Sequence, residues 1–336
     1  LTIDTTNAGG TAAGANISFS STINNAQTLT LTAGTAGGIT LSGITGGTTP
    51  LTTFTATGNT ISTTGVRTTG AQSYTGTTSS TFNGTYLSAG GVFGVTGAAL
   101  LGGATSIDTT NAGGTAAGAN ITFSSTINNG QTLSLTGGTA GAITLSGIVG
   151  GSSTLTSFTA NANTISTIGV NTNASQSYTG ATSTTFNGNY NVSTSSNSFT
   201  VTGAALLAGA TSINSGTSST LSFSSTINNA QTLSLSATSG AITVTGAIGG
   251  TSALTSFTAA GSNTVAVNNV RTTGSQSYTS STSTTLNGTS YLTAGGSFTT
   301  SGAILLGAGV TIDTTNAGGT PAGASMNISS TINNAQ

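Results

Sequence analysis

The chain has 336 residues, and only five are charged: Asp4, Arg67, Asp108, Arg271 and Asp313, for a net charge of −1. It has no His, Cys, Lys, Glu or Trp. This excludes a basic footprint for nucleic acid, which needs clustered Lys and Arg against phosphate, a serine nucleophile activated by His or Lys, disulfides, and thiolate or imidazole metal sites.

Apolar residues make up 34% of the chain, too many for a disordered segment. Their order is periodic. Taken along one copy, the apolar positions are Ile61, Val66, Tyr74, Phe82, Tyr86, Phe93, Ala98-Ala99-Leu100-Leu101, Ile107, Ile121-Thr122-Phe123, Ile127, Leu133-Ser134-Leu135, Ile143-Thr144-Leu145 and Leu155-Thr156-Ser157-Phe158. Apolar residues at i and i+2 enclose a polar one, the pattern of strands with one buried face. These strands are expected to be short, about three to six residues each. Between them lie Gly9-Gly10, Gly46-Gly47, Asn83-Gly84 and Gly150-Gly151, which suit tight corners. No stretch shows helical spacing, and none approaches the ~18 apolar residues of a spanning helix.

The whole pattern recurs. Thr22-Ile23-Asn24-Asn25 returns around Ile127, Ile227 and Ile332, at spacings of 104, 100 and 105 residues. A fixed long period marks a solenoid or array. The expectation is an all-β fold, a right-handed parallel β-helix (β-solenoid) of about 16 coils of roughly 20 residues, with about five coils per copy. The chain reads as a single continuous segment, residues 1–336, divided approximately as 1–58 (partial), 59–162, 163–262 and 263–336 (partial). It opens in mid-pattern at Leu1 and stops in mid-pattern at Gln336, the counterpart of Gln27, as expected of a mature segment or a window from a longer array.

All eleven Phe and six Tyr fall at repeat-equivalent positions, with Leu286 replacing Phe82 and Phe186, so they are expected in the core. Pro50 and Pro321 are expected at corners, since Pro cannot donate to a ladder. No catalytic, cofactor-binding or metal-binding residue is expected. Asp4 and Asp108 are copies, so about five coils, or ~24 Å, should separate them, too far for paired carboxylates. The next copy has Asn214, which points to a turn residue. Arg67 and Arg271 are copies with Asn171 between, read as solvated surface residues; a bidentate contact with a carbohydrate carboxylate is the alternative. Thr28-Leu29-Thr30-Leu31-Thr32 resembles an ice-binding threonine row, expected in one coil of each five.

The run Val66-Arg67-Thr68-Thr69-Gly70-Ala71-Gln72-Ser73-Tyr74, with segments of the type Ala15-Asn16-Ile17-Ser18-Phe19 and Gly46-Gly47-Thr48-Thr49-Pro50-Leu51, resembles the repeats of large bacterial exoproteins. These are the filamentous-haemagglutinin-like and autotransporter-like β-strand-repeat proteins. The resemblance implies an exported, extracellular or cell-surface protein; the missing catalytic and metal-ligating residue types lead to the expectation of no enzymatic activity and no cofactor. The resemblance also implies a fibre subunit or adhesin shaft, or a biofilm-matrix filament. The expected partners are further copies of itself, head to tail or side by side, and surface glycans; neither nucleic acid nor a membrane span is expected.

Overall fold

The computed structural model describes residues 1–320 and 322–333. It is all-β, without a helix among the described residues, and its parallel strands stack as the turns of a β-solenoid, about 14 in number. The turns fall into two compact units, Leu1–Val170 and Asn171–Gln336.

Each turn has three sides. The strand Gln72–Ser88 carries all three without a break. Gln72 and Tyr74 point inward on the first side, Ser80 and Phe82 on the second, Tyr86 and Ser88 on the third. Gly76 to Ser79 forms one corner and Asn83-Gly84 the next, with Gly84 at φ 84°. Strands thus continue through corners, which is why several are longer than their apolar spacing suggests.

In the first unit the inward residues form three unbroken columns. One runs Ile3, Leu31, Ala56, Tyr74, Val95, Phe123, Leu145, Thr167. The second runs Ile17, Ile39, Ile61, Ser80, Ala99, Ile127, Val149, Val170. The third runs Ile23, Thr45, Val66, Tyr86, Ile107, Leu135, Ala160. The second unit is built the same way, for example along Tyr190, Ile213, Leu235, Ala259, Tyr278, Thr300 and Ile328.

The columns correct the coil count. Turns are unequal in length: the step from Phe93 to Ile121 takes far more chain than the step from Phe54 to Gln72. Seven turns carry the first column from Ile3 to Thr167, and the described residues make about 14 turns where 16 were expected. The longest turns are those that contain a loop opened by Asp4, Asp108 or Asp313. Loop residues add length without adding a side.

The expected five coils per copy is also corrected. Ile107 is the copy of Ile3. Four turns lead from Ile3 to Val95 on the same side, and two more sides lead on to Ile107. In the second unit, four turns lead from Ile213 to Thr300, and two more sides to its copy Ile312. One copy is therefore four turns and two sides. Asp4 and Asp108 consequently lie on different sides.

The aromatics pack as expected. Tyr74 is fully buried, with Phe54, Phe82 and Phe93 at ring-centroid distances of 5.4, 5.0 and 5.2 Å. Tyr178 meets Phe186 at 5.1 Å, and Leu286 is buried where its copies are Phe82 and Phe186. Phe19 is the partial exception, half-buried at the end of the short strand Ile17–Phe19. Pro50 lies outside any strand, and Pro321 lies outside the described residues.

Candidate functional surface

Period-2 alternation sends every second residue outward, so the inside and outside of the solenoid are chemically separate. The interior is mainly apolar, with scattered buried Thr and Ser such as Thr45, Ser80 and Ser88, and it carries a polar hub repeated in each copy. Gln72 is fully buried; its amide nitrogen donates to Val66 O at 3.1 Å, Thr68 Oγ1 at 3.2 Å and Leu87 O at 2.8 Å. Its Oε1 accepts the Tyr74 hydroxyl at 2.9 Å. Gln276 and Tyr278 repeat the arrangement in the second unit. The Gln-Ser-Tyr spacing puts both side chains inward on one side of the turn, so the amide satisfies a phenol that burial would otherwise leave unpaired.

Burial pushes the Tyr74, Tyr178 and Tyr278 phenols well above their ordinary range, helped by a neighbouring tyrosine in each case. Burial also pushes Tyr86 up, to about 12, opposed by hydrogen bonds from Thr63 and the Asn83 N–H. A folded-state pKa raised above the unfolded value near ~10 contributes stability that is complete below that value and lost as pH rises through the folded one. On alkaline titration, phenolate absorbance from these residues should therefore appear together with loss of the β circular-dichroism signal. Reversible ionisation near pH ~10 with the fold intact would show that the phenols reach solvent.

Outside, the first unit carries two adjacent columns of small hydroxyl residues. One runs Thr30, Thr55, Ser73, Gly94, Thr122, Thr144; the other runs Thr32, Thr57, Thr75, Thr96. The threonine row is thus not confined to one coil in five. Different segments of the repeat supply Thr or Ser at stacked positions, and a single Gly interrupts the longer column.

The three aspartates are loop anchors. Asp108 accepts the Thr110 N–H at 2.7 Å and the Thr110 hydroxyl at 2.6 Å through Oδ1, and the Ala112 N–H at 3.0 Å through Oδ2. Asp4 and Asp313 make the same bonds to Thr6 and Ala8, and to Thr315 and Ala317. Donation by the Thr6 and Thr315 hydroxyls holds the Asp4 and Asp313 carboxyls below their ordinary range. The anchored loops turn through left-handed residues such as Asn111 and Ala112, at φ 53° and 57°. Their role as turn residues matches the sequence expectation. The Asn214 copy has no such loop, and its turn from Phe199 to Leu221 is shorter than the corresponding turn from Phe93 to Ile121.

The charges are also placed in columns, which sequence spacing did not reveal. Arg67 pairs in register with Leu87, and Leu87 with Asp108. Arg271 pairs with Leu292, and Leu292 with Asp313. Each Arg thus has an Asp on the same outer column two strands on, with a leucine between. Where Arg and Asp are absent together, an asparagine ladder takes their place: Asn191 Nδ2 donates to Asn171 Oδ1 at 2.6 Å, and Asn214 Nδ2 donates to Asn191 Oδ1 at 3.1 Å. Among the described residues no group of His, Cys, Asp or Glu could hold a metal ion, and no helix is long and apolar enough to cross a membrane. No family model matches the chain, and comparison with characterised proteins and with solved structures finds no match.

Proposed function

We propose that this chain is an extracellular structural segment, a shaft or subunit of a self-associating surface fibre or biofilm-matrix filament. The observation that carries this reading is the interchangeability of the three sides. A copy enters each column at a different side, yet the columns remain filled mainly by Ile, Leu, Val, Ala, Phe and Tyr. Such a design extends without a unique centre, and its function lies in length and surface. The near-neutral exterior offers little charge repulsion against end-to-end or lateral packing. No catalysis and no cofactor enter this proposal.

Negative-stain electron microscopy across a concentration series is the test. Filaments should grow with concentration and show a rise of about 22 Å per copy, four turns and two sides at ~4.8 Å per strand. Sedimentation showing a monomer at all concentrations would reject self-assembly. The paired hydroxyl columns of the first unit favour a second reading, an adhesin shaft that presents a Thr/Ser face to glycans or another surface.

A further inference from the structure

Outside the hydroxyl columns, the most unusual chemistry is the pair of arginines. They are the only cationic side chains in the chain, and each lines a groove. The first groove lies at Arg67, bordered by Ile44, Gly65, Gly84, Thr85 and Leu87. The second lies at Arg271, bordered by Ala247, Asn269, Ser290 and Leu292. The linings are repeat copies of one another: Ile44 corresponds to Ala247, Gly65 to Asn269, Thr85 to Ser290 and Leu87 to Leu292. A related groove thus occurs once in each unit, with Ala247 and Asn269 in the second where the first has Ile44 and Gly65.

The guanidinium groups are poorly used by the protein. Arg67 makes one side-chain hydrogen bond, from Nη2 to Asn111 Oδ1 at 3.4 Å, and its buried Nε has no partner among the described residues. The Arg271 guanidinium makes no hydrogen bond among the described residues, and its side chain is exposed. A guanidinium offers five donors in a planar fork that fits a carboxylate with two parallel bonds. The nearest same-column carboxylates, Asp108 and Asp313, lie two strands away, roughly 10 Å, about one Debye length at 0.1 M salt. Their oxygens are already turned to their own loops. An anion at either Arg therefore has no internal ion pair to displace.

The rest of the groove suits a ring that is apolar on one face and hydroxylated at its rim. Ile44 is 52% exposed and Leu87 points outward beside Arg67, giving an aliphatic wall. Gly65 and Gly84 leave bare backbone on the floor, and the Thr85 side chain is exposed at the edge. We propose that the Arg67 and Arg271 grooves are two related sites for a uronate residue of an acidic polysaccharide, the first with the fuller aliphatic wall. The guanidinium takes the carboxylate, the aliphatic wall takes the ring face, and Thr85 or Ser290 meets a ring hydroxyl. This assignment is independent of filament formation and concerns the unassembled chain equally.

The test is a titration of the intact chain with tri-galacturonate, followed by the Ile44 methyl and arginine Nε–H resonances. Its fully methyl-esterified counterpart serves as the uncharged control. Both grooves should respond to the acid, and the ester should bind at least about tenfold more weakly, the loss of a charge-assisted bidentate contact. The R67Q/R271Q double variant should lose binding to the same extent, while N111G, which removes the loop contact to Arg67 and suits the left-handed backbone at φ 53°, should retain it. Equal binding of ester and acid, or undiminished binding by a folded double variant, would overturn the proposal. The ester comparison needs no substitution, so it decides the matter even if the double variant does not fold.

Discussion

Replacing Gln72 with leucine is expected to destabilise the first unit by about 3–5 kcal/mol, more than any other single polar substitution in it. The leucine fits the volume but removes every partner at once. Val66 O and Leu87 O lose an amide donor, and the Tyr74 hydroxyl loses its acceptor. Each buried polar group left unpaired costs about 1–3 kcal/mol. Tyr74→Phe removes just one bond and leaves only the Gln72 Oε1 unpaired, so its cost should be about 1–3 kcal/mol. The two variants and their combination form a cycle, read by urea denaturation and by hydrogen exchange of the Val66 to Ser88 amides. Because Gln72 and Tyr74 share a bond, the double variant should be less destabilised than the sum of the singles. Additive costs, or a Q72L protein as stable as Y74F, would show that the amide is not the hub.

The second large effect is at Gly97. Its φ is +92°, and a Cβ there would lie 2.1 Å from Gly76 O in the preceding turn. Its copies Gly203 and Gly302 repeat this, with φ of +93° and +96° and the same 2.1 Å approach to a carbonyl oxygen of the preceding turn. Gly97→Ala thus carries a left-handed backbone cost of about 1–2 kcal/mol and an overpacking cost of about 1–3 kcal/mol, because one turn must move from the next. Gly113 provides the control. Its φ is +88°, but a Cβ there meets nothing within 4 Å, so Gly113→Ala should cost only the backbone strain. Urea midpoints of the two variants should differ clearly; equal midpoints would mean that the turns yield to a methyl group without penalty.

Much of this architecture is legible in the residues. Period-2 alternation at Ile121-Thr122-Phe123 and Leu133-Ser134-Leu135 identifies strands and their buried side, because one-sided burial imposes that pattern locally. The aromatic positions identify the core for the same reason. Turn length is less accessible. It depends on which residue stacks on which, a long-range choice, and it varies as loops such as Asp108 to Gly118 are inserted at corners. A uniform coil of roughly 20 residues ignores loop residues that add length without adding a side, and so it overcounts turns. The alignment of Arg67 with Asp108 is hidden for the same reason. They are distant in sequence, and only the lengths of the two intervening turns bring them into one column. The asparagine ladder at Asn171, Asn191 and Asn214 is equally invisible until the register is known, when the joint loss of both charges becomes a single change of column chemistry.

The step of four turns and two sides makes copy number an angular setting. Had a copy been a whole number of turns, duplication would lengthen the same stripe. Here, gene-level insertion or removal of one copy in an array that keeps this step swings every later outward feature to another side, while the inward columns accept the change because all three are lined alike. Loops, grooves and hydroxyl columns would then be distributed around the axis in a spiral, repeating their direction only after three copies. Expansion and contraction of such an array redirect its surface without touching its core, so variants of different length differ in what they present and not only in how far they reach.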